Sequence, residues 1–305
     1  MNTASRWMIV LGLAAAALGL CMEAPKAHAQ DVEITGPLAG APAVRRMRIY
    51  RDGRFQIQPT VGFTLQDEFA RTMFAGAQIG YHFTDWLGIN AFASYGVVSL
   101  ETGLTDQVAS RGQTTERNRV SLPSASGFPD QIGRLNFMGG AQVTFIPLRG
   151  KLALFQALFV DTDFYIFGGA AATQVEERAN VVGNAAAACA PIEEGFTGDA
   201  SGLRSACIAT QKETATRIAL APTFGVGISL YLTDYMGLTL EYRAFPFKWN
   251  TSGTDEGGLN SNRNKDANGE FPDGLINDSD RIFHFNQMFN LGLAFYLPFQ
   301  GDVTE

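Results

Sequence analysis

The sequence predicts an all-β fold, an eight-stranded antiparallel transmembrane β-barrel of up-and-down meander topology. Three observations carry that prediction. Eight segments alternate apolar and polar residues with the period of two that sends successive side chains to opposite faces of a strand. Several run beyond twelve residues, whereas globular strands have about five or six and a tilted membrane-spanning strand needs about 9–11. The apolar faces are kept free of charge along the spans, with Lys248 and Arg281 taking that parity only at the ends of 236–249 and 281–298; a lysine or arginine at a bilayer midplane would cost about 2–4 kcal/mol.

Residues 1–29 are read as a cleaved signal peptide. Arg6 supplies positive charge, Met8 to Leu20 is apolar, and Ala27-His28-Ala29 has the small-x-small form that precedes cleavage before Gln30. The apolar run falls short of the about 18 residues expected of a transmembrane helix. Cys21 does not signal lipidation, because the residue ahead of it should be small and is Leu20. Residues 30–52 form a periplasmic leading segment. Its Arg45, Arg46, Arg48 and Arg51, with Arg54 beyond, suit anionic phospholipid heads or simply water. A net charge of −7 leaves no basic footprint, so nucleic acid is not an expected partner.

The barrel is expected over 53–299, with 300–305 as a periplasmic tail. Its first strand, 53–66, sets Phe55, Ile57, Val61, Phe63 and Leu65 against Arg54, Gln56, Gln58, Thr60 and Thr64. Seven more follow at about 72–84, 86–100, 134–147, 160–175, 215–232, 236–249 and 281–298. A soluble lipocalin-like barrel would share this alternation but turn the apolar face inward. The polar face argues against that. It carries amides, hydroxyls and glycines such as Gly76, Gly80, Gly140 and Gly225, but few charges, where a water-facing surface has roughly 25–35%. Small residues belong inside a narrow barrel.

The connections alternate in length. YHFTDWLGINAF (81–92) and LYLTDYMGLTLEY (230–242) repeat one tight turn at Thr84-Asp85 and Thr233-Asp234, and a third short link follows Pro147. The other ends are joined by long polar stretches at 102–133, 176–214 and 251–280, plus a short loop near Asp67 to Arg71. In outer-membrane barrels short turns face the periplasm and long loops face outward, so both termini are expected in the periplasm. Trp86 and Tyr235 then sit at the water–lipid boundary, where amphipathic rings prefer to lie. Pro59 and Pro222 fall inside strands and predict bulges, because each removes a ladder donor. KLALFQALFV (151–160) breaks the alternation. Leu152, Phe155 and Phe159 follow helical spacing, which favours a short amphipathic helix at the inner rim over a strand that starts early.

The inward faces carry Asp161, Asp163, Arg217, Glu241 and Arg243. Charges buried in so narrow a lumen must pair, which predicts a polar network that plugs it; the alternative is a gate that opens when pairs switch. After export only His82 and His284 remain as histidines. They sit near opposite ends of the barrel and outside any nucleophile motif, so no catalytic residue and no enzyme is predicted. In NKDANGEFPDGLINDSD, Asp266, Asn268, Glu270 and Asp273 (with Asn264 ahead of them) are closely spaced oxygen donors that suggest calcium. The twelfth position of such a loop is Leu275 rather than an acid, and Asp, Asn and Gly fill any exposed turn, so no metal or cofactor is predicted. Cys189 and Cys207 share one loop of an exported chain, which predicts a disulfide.

The last strand carries Asn290-x-Gly292-x-x-Phe295-x-Leu297, which resembles the signal by which the outer-membrane barrel assembly machinery recognises a terminal strand. PLAGAPAVRRMRIYRDGRFQIQP, YHFTDWLGINAFASYG, KLALFQALFVDTDFYIFGGA and FNQMFNLGLAFYLPF look like the outer-membrane β-barrel domain family of the myxobacterial type, small barrels of the OmpA/OmpX kind. The resemblance covers about 37–299 and implies an integral outer-membrane protein of a diderm bacterium with no general catalytic activity. The partners it implies are outer-membrane lipids and lipopolysaccharide, the assembly machinery and envelope proteins. The expected role is structural, in surface display or in anchoring an envelope complex. The alternatives are a narrow channel for small solutes and a component of a cell-surface motility or envelope machine.

Overall fold

The computed structural model describes residues 48–65, 67–111, 125–154, 158–178, 213–254, 276, 278–299 and 302–303. In chain order they form β1 (Arg48–Ile49), β2 (Phe55–Leu65), β3 (Ala70–His82), β4 (Leu87–Glu101), helix α1 (Gly103–Arg111), β5 (Arg134–Leu154), β6 (Leu158–Arg178), β7 (Thr214–Tyr231), β8 (Met236–Ala244), β9 (Phe247–Trp249), β10 (Ile282–His284), β11 (Gln287–Leu297) and β12 (Asp302–Val303). Strands β2 to β8 and β11 close one antiparallel ring of eight, with β11 sealing the gap between β8 and β2. Closure satisfies both edges of every strand, which an open sheet cannot do. β1 pairs with β12 as a separate two-stranded sheet, so the two ends of the described chain meet.

The side chains decide which face is inside. Ile218 and Leu220 are 71% and 80% exposed, and Phe55, Ile79, Val143 and Leu240 are exposed with them. Gln58, Thr144, Ser229 and Thr239 are buried. The apolar residues therefore face outward, and the inverted soluble barrel is excluded.

Both prolines sit in the wall without the expected bulges. Pro59 pairs in unbroken register with Ala77, and the β2–β11 ladder simply lapses beside it between Thr60 and Ile57 without a shift. Pro222 pairs with Ala170, and its other side lies beyond the first β7–β8 pair, Phe224 with Ala244. A proline turned toward a missing bond loses no donor. The register shifts lie elsewhere, opposite Met73/Phe74, at Leu135/Phe137 and at Phe145/Leu148.

That last shift accounts for 151–160. The strand does not stop at Pro147; it bulges there and continues, so that Lys151 pairs with Asp161 and Leu154 with Leu158. Its described residues, 151–154 and 158–160, are paired strand, not helix. A helix this short is marginal alone, whereas the strand pair extends a ladder already nucleated in the wall. It reaches past its neighbours, since β4 pairs with β5 only as far as Phe145 and β7 with β6 only as far as Thr162.

At the opposite end the last two predicted strands are each broken once. β8 stops at Ala244 and β9 resumes at Phe247; β10 stops at His284 and β11 begins at Gln287. Pro246, which has no N–H to give, lies in the gap. The register is the same on both sides, Ala244 with Gln287 and Phe247 with His284, and Phe245 N–H bridges the gap to Asn286 O at 2.9 Å. The described parts of 102–133 include the helix α1. Thr102 O accepts Asp106 N–H at 3.2 Å, and Asp106 in the first turn and Arg111 in the last suit the helix dipole of α1. Val108 and Phe69 pack against the cluster of Ala70, Phe128 and Ile132, which holds α1 to the rim.

Candidate functional site

The candidate site is the lumen, and its filling changes from one end to the other. At the short-turn end the chain ahead of β2 folds into the mouth. Tyr50 stacks on Tyr231 with ring centroids 3.8 Å apart, and its hydroxyl donates to Asp161 Oδ2 at 2.6 Å. Arg51 follows inward. Its Nε lies 2.8 Å from Tyr231 Oη and 3.2 Å from Asp163 Oδ2, its Nη2 donates to Ser229 Oγ at 2.6 Å, and its guanidinium lies 5.4 Å and 5.8 Å from the rings of Tyr165 and Tyr296. Arg54 donates to the carbonyls of Tyr50, Asp234, Tyr296 and Pro298. Arg51 and Arg54 are thus buried structural cations rather than contacts for phospholipid heads. Arg149 pairs with Asp85 at the neighbouring turn and reaches Asp163 at 3.8 Å.

Midway along the barrel Arg243 and Glu241 project from alternate positions of β8. Arg243 Nη2 lies 2.7 Å from Glu241 Oε1, and Nη1 donates to Thr223 Oγ1 at 3.1 Å. The guanidinium lies 4.0 Å from the Phe92 ring centroid and 4.6 Å from that of Phe167. Glu241 also accepts from Gln78 Nε2 and Asn290 Nδ2 at 3.3 Å and 3.2 Å. A pair this deep is held by its added hydrogen bonds and rings, without which desolvation would exceed the Coulombic gain.

Toward the long-loop end the lumen stops being polar. Phe74, Leu135, Met138, Val175, Phe245, Phe247, Trp249 and Met288 form a buried apolar cluster there. Above it Glu177 Oε1 accepts from Arg217 Nε at 2.6 Å and from Arg281 Nε at 2.5 Å, while Oε2 accepts Asn250 N–H at 2.9 Å. The five inward charges therefore do not form one network. Asp161 and Asp163 belong to the short-turn mouth, Glu241 and Arg243 to the middle, and Arg217 to the clamp at the far end.

Close packing dictates two glycines. A Cβ on Gly227 would lie 2.2 Å from Tyr165 Cζ, and one on Gly292 would lie 2.5 Å from Gln58 Nε2. Gly292 belongs to the proposed assembly signal, so its size is also demanded by the folded lumen. Asn290 of that signal points inward to Glu241, and Phe295 and Leu297 are half-exposed on the outward face. Trp86 and Tyr235 are exposed at the turns, edge-on to Phe145 and Phe299. His82 Nε2 lies 2.7 Å from Gln56 Oε1 at the short-turn end, whereas His284 lies in β10 beyond the opposite rim, so the two do not meet. Cys189 and Cys207 lie outside the described residues, as do Asp266, Asn268, Glu270 and Asp273. Among the described residues no three His, Cys, Asp or Glu side chains are grouped to hold a metal.

Sequence reading missed Tyr50, Tyr231, Tyr296, Glu177 and Arg281, and it set Arg51 against phospholipid heads or water rather than in the lumen. Strand parity could have found Tyr231 and Tyr296, which occupy inward positions beside outward Leu230 and Leu297. It says nothing about Tyr50 and Arg51, which precede the alternation.

No known family profile and no curated protein sequence matches this chain. Among solved structures it is similar to the N-terminal β-barrel domain of Pseudomonas aeruginosa OprF, with 8% identity and a TM-score of 0.37 over 81% of this chain and 98% of that one. It is also similar to the outer membrane protein OprG from Pseudomonas aeruginosa, with 10% identity and a TM-score of 0.38 over 81% and 97% of the two chains. Neisserial surface protein A shows 8% identity and a TM-score of 0.35 over 80% and 98%. These likenesses are too distant to add to the closed ring of strands described above, and the narrower myxobacterial-type resemblance gains nothing from them.

Proposed function

We propose that this chain is an integral outer-membrane barrel without enzymatic activity, a closed scaffold that displays its long loops outside the cell and anchors them. The observation that carries this reading is the pairing of an apolar exterior with a filled interior. The outward belt of Leu220, Ile218, Val143 and Ile79 is what a bilayer would cover, and Arg51 and Arg243 occupy the lumen at two levels. On this reading the Thr84-Asp85 and Thr233-Asp234 turns and both termini face the periplasm, and the stretches 102–133, 176–214 and 251–280 face outward. The aromatic pairs at Trp86 and Tyr235 mark the inner boundary. A terminal strand that carries Asn290, Gly292, Phe295 and Leu297 would direct assembly.

Planar-bilayer recording tests it. Purified, folded protein should insert without steady ohmic current, because the side chains of Arg51, Tyr231 and Tyr296 fill one mouth. Reproducible unitary conductance in the wild-type protein would overturn the scaffold in favour of a narrow channel for small solutes.

A further inference from the structure

A second site lies outside the lumen, at the long-loop rim. A cavity of about 180 Å³ opens there between the β2–β3 connection, the end of β9 and β10. Its polar lining is Asp67, Glu68, Thr251, His284 and Asn286, the last already bonded to Trp249 and to backbone carbonyls, and Leu65 and Phe285 supply apolar sides. Two of its polar atoms have no partner among the described residues. Thr251 is only 7% exposed and its hydroxyl makes no hydrogen bond. The Nε2 of His284 is likewise buried and unbonded. Such atoms are costly unless something completes them.

The chemistry selects what could. Two carboxylates exclude an anion. A metal is disfavoured, since no three metal-ligating side chains are grouped here among the described residues. What remains is a donor-only cation. An ammonium group carries three N–H donors, and the cavity offers three acceptors: the Asp67 carboxylate, the Thr251 hydroxyl oxygen and His284 Nε2 in the tautomer protonated at Nδ1. Leu65 and Phe285 would flank the methylene stem behind it. Trp249 packs edge-on to the His284 ring at 6.0 Å while donating Nε1–H to Asn286 Oδ1 at 3.1 Å. A planar guanidinium, with five donors in a rigid fork, asks for more acceptors than these three.

We infer that this rim cavity binds the ammonium head of an alkylamine, the chemistry shared by a free polyamine and an exposed lysine side chain. The site is independent of whether the lumen conducts. Its acid–base character supports the assignment. Burial pushes Asp67 up to about 6 against a smaller opposing effect of Thr64 and Arg71, with Glu68 adding to the rise. Burial also holds His284 below its ordinary value against the opposing field of Glu68, which keeps its ring neutral and able to accept. Asp67, Glu68 and His284 are the titratable groups that line the cavity, and Arg71 acts on Asp67 from β3. Amine binding should therefore weaken as pH falls through 6, when Asp67 takes up a proton.

The test uses the folded full-length chain in detergent micelles, titrated with spermidine and with Nα-acetyl-lysine amide by calorimetry at pH 7.5. Saturable one-site binding of either probe is expected, and the tighter one identifies the source. Affinity should fall at least about tenfold in Asp67→Asn and again at pH 5 in the wild type. It should hold in Glu101→Gln, which removes a different exposed rim carboxylate. Thr251→Val keeps the side-chain shape and removes one acceptor, so it serves if Asp67→Asn folds poorly, and the same loss is expected. Absence of saturable binding by both probes overturns the inference. So does unchanged affinity in Asp67→Asn or Thr251→Val, or displacement of the amine by equimolar calcium.

Discussion

Arg51 and Asp163 meet inside the barrel mouth, with 3.2 Å between Nε and Oδ2, although one precedes the first barrel strand and the other lies in the fifth. The contact makes the leading segment part of the fold. Breaking a buried pair leaves an uncompensated charge, so Arg51→Ala should cost about 3 kcal/mol in urea unfolding from lipid vesicles. Arg149 at 3.8 Å and Tyr231 remain to soften the loss at Asp163. An effect below about 1 kcal/mol would place Arg51 at the surface.

The Glu241–Arg243 pair makes a sharper prediction, because both partners are buried on one strand. Glu241→Gln and Arg243→Met should each destabilise by about 3–5 kcal/mol, while Glu241→Leu combined with Arg243→Met should return most of that loss. A double-mutant cycle measures this. Additive losses would mean that the two side chains act independently.

Alternation made the ring legible because one rule, apolar out and polar in, acts on every residue of a closed wall. Ile218, Leu220, Phe224, Val226 and Ile228 read as one face from sequence and are one face in the fold. The rule fails where a bulge resets parity. At Ile146–Pro147 the extra residue lets β5 run on, and a segment with apparent helical spacing is paired strand in its described residues. It also fails for a polar-face position filled by a large ring. Phe74 and Phe92 sit inward at alternating positions, yet they build the apolar half of the lumen with Trp249, which arrives from beyond the break at Pro246. Arg51 was illegible for a different reason: it lies where no strand yet gives a parity.

Trp86 and Trp249, the two tryptophans beyond the segment predicted to be cleaved, separate the belt from the interior. Trp86 is 51% exposed and Trp249 only 3%. In vesicles containing brominated lipid, the Trp249→Phe variant should retain strong quenching of its remaining fluorescence. The Trp86→Phe variant should lose it. Equal quenching in both would contradict the placement of Trp86 at the lipid boundary.

On the proposed reading Cys189 and Cys207 share one outward loop in an oxidising compartment, and they are expected to be bridged. Closing about 19 residues would remove roughly 3 kcal/mol of chain entropy from the open loop in the loop-closure picture. Peptide mapping without reductant should reveal a linked pair that separates on reduction. Free alkylation of both thiols in the folded protein would rule the bridge out.

Asp67 and His284 pull the stability of the rim in opposite directions with pH. The folded chain holds Asp67 at about 6 against an ordinary 3.8, so between those values the folded state binds more protons than the unfolded one. Its contribution is full below about pH 4 and is lost as pH rises through 6, by at most about 3 kcal/mol. His284 is held below its ordinary 6.5, so its contribution is present above that pH and declines as pH falls below it. Wild-type protein alone would therefore give a shallow profile. Two variants separate the contributions. In a His284→Phe background the unfolding free energy should fall from pH 4 to pH 7, and adding Asp67→Asn should flatten that slope. At pH 7 Asp67→Asn should be the more stable protein, because it removes a desolvated carboxylate whose nearest help comes from Thr64 and Arg71. If the slope survives the substitution, its source is another carboxylate and the burial of Asp67 does not set the acid response of this rim.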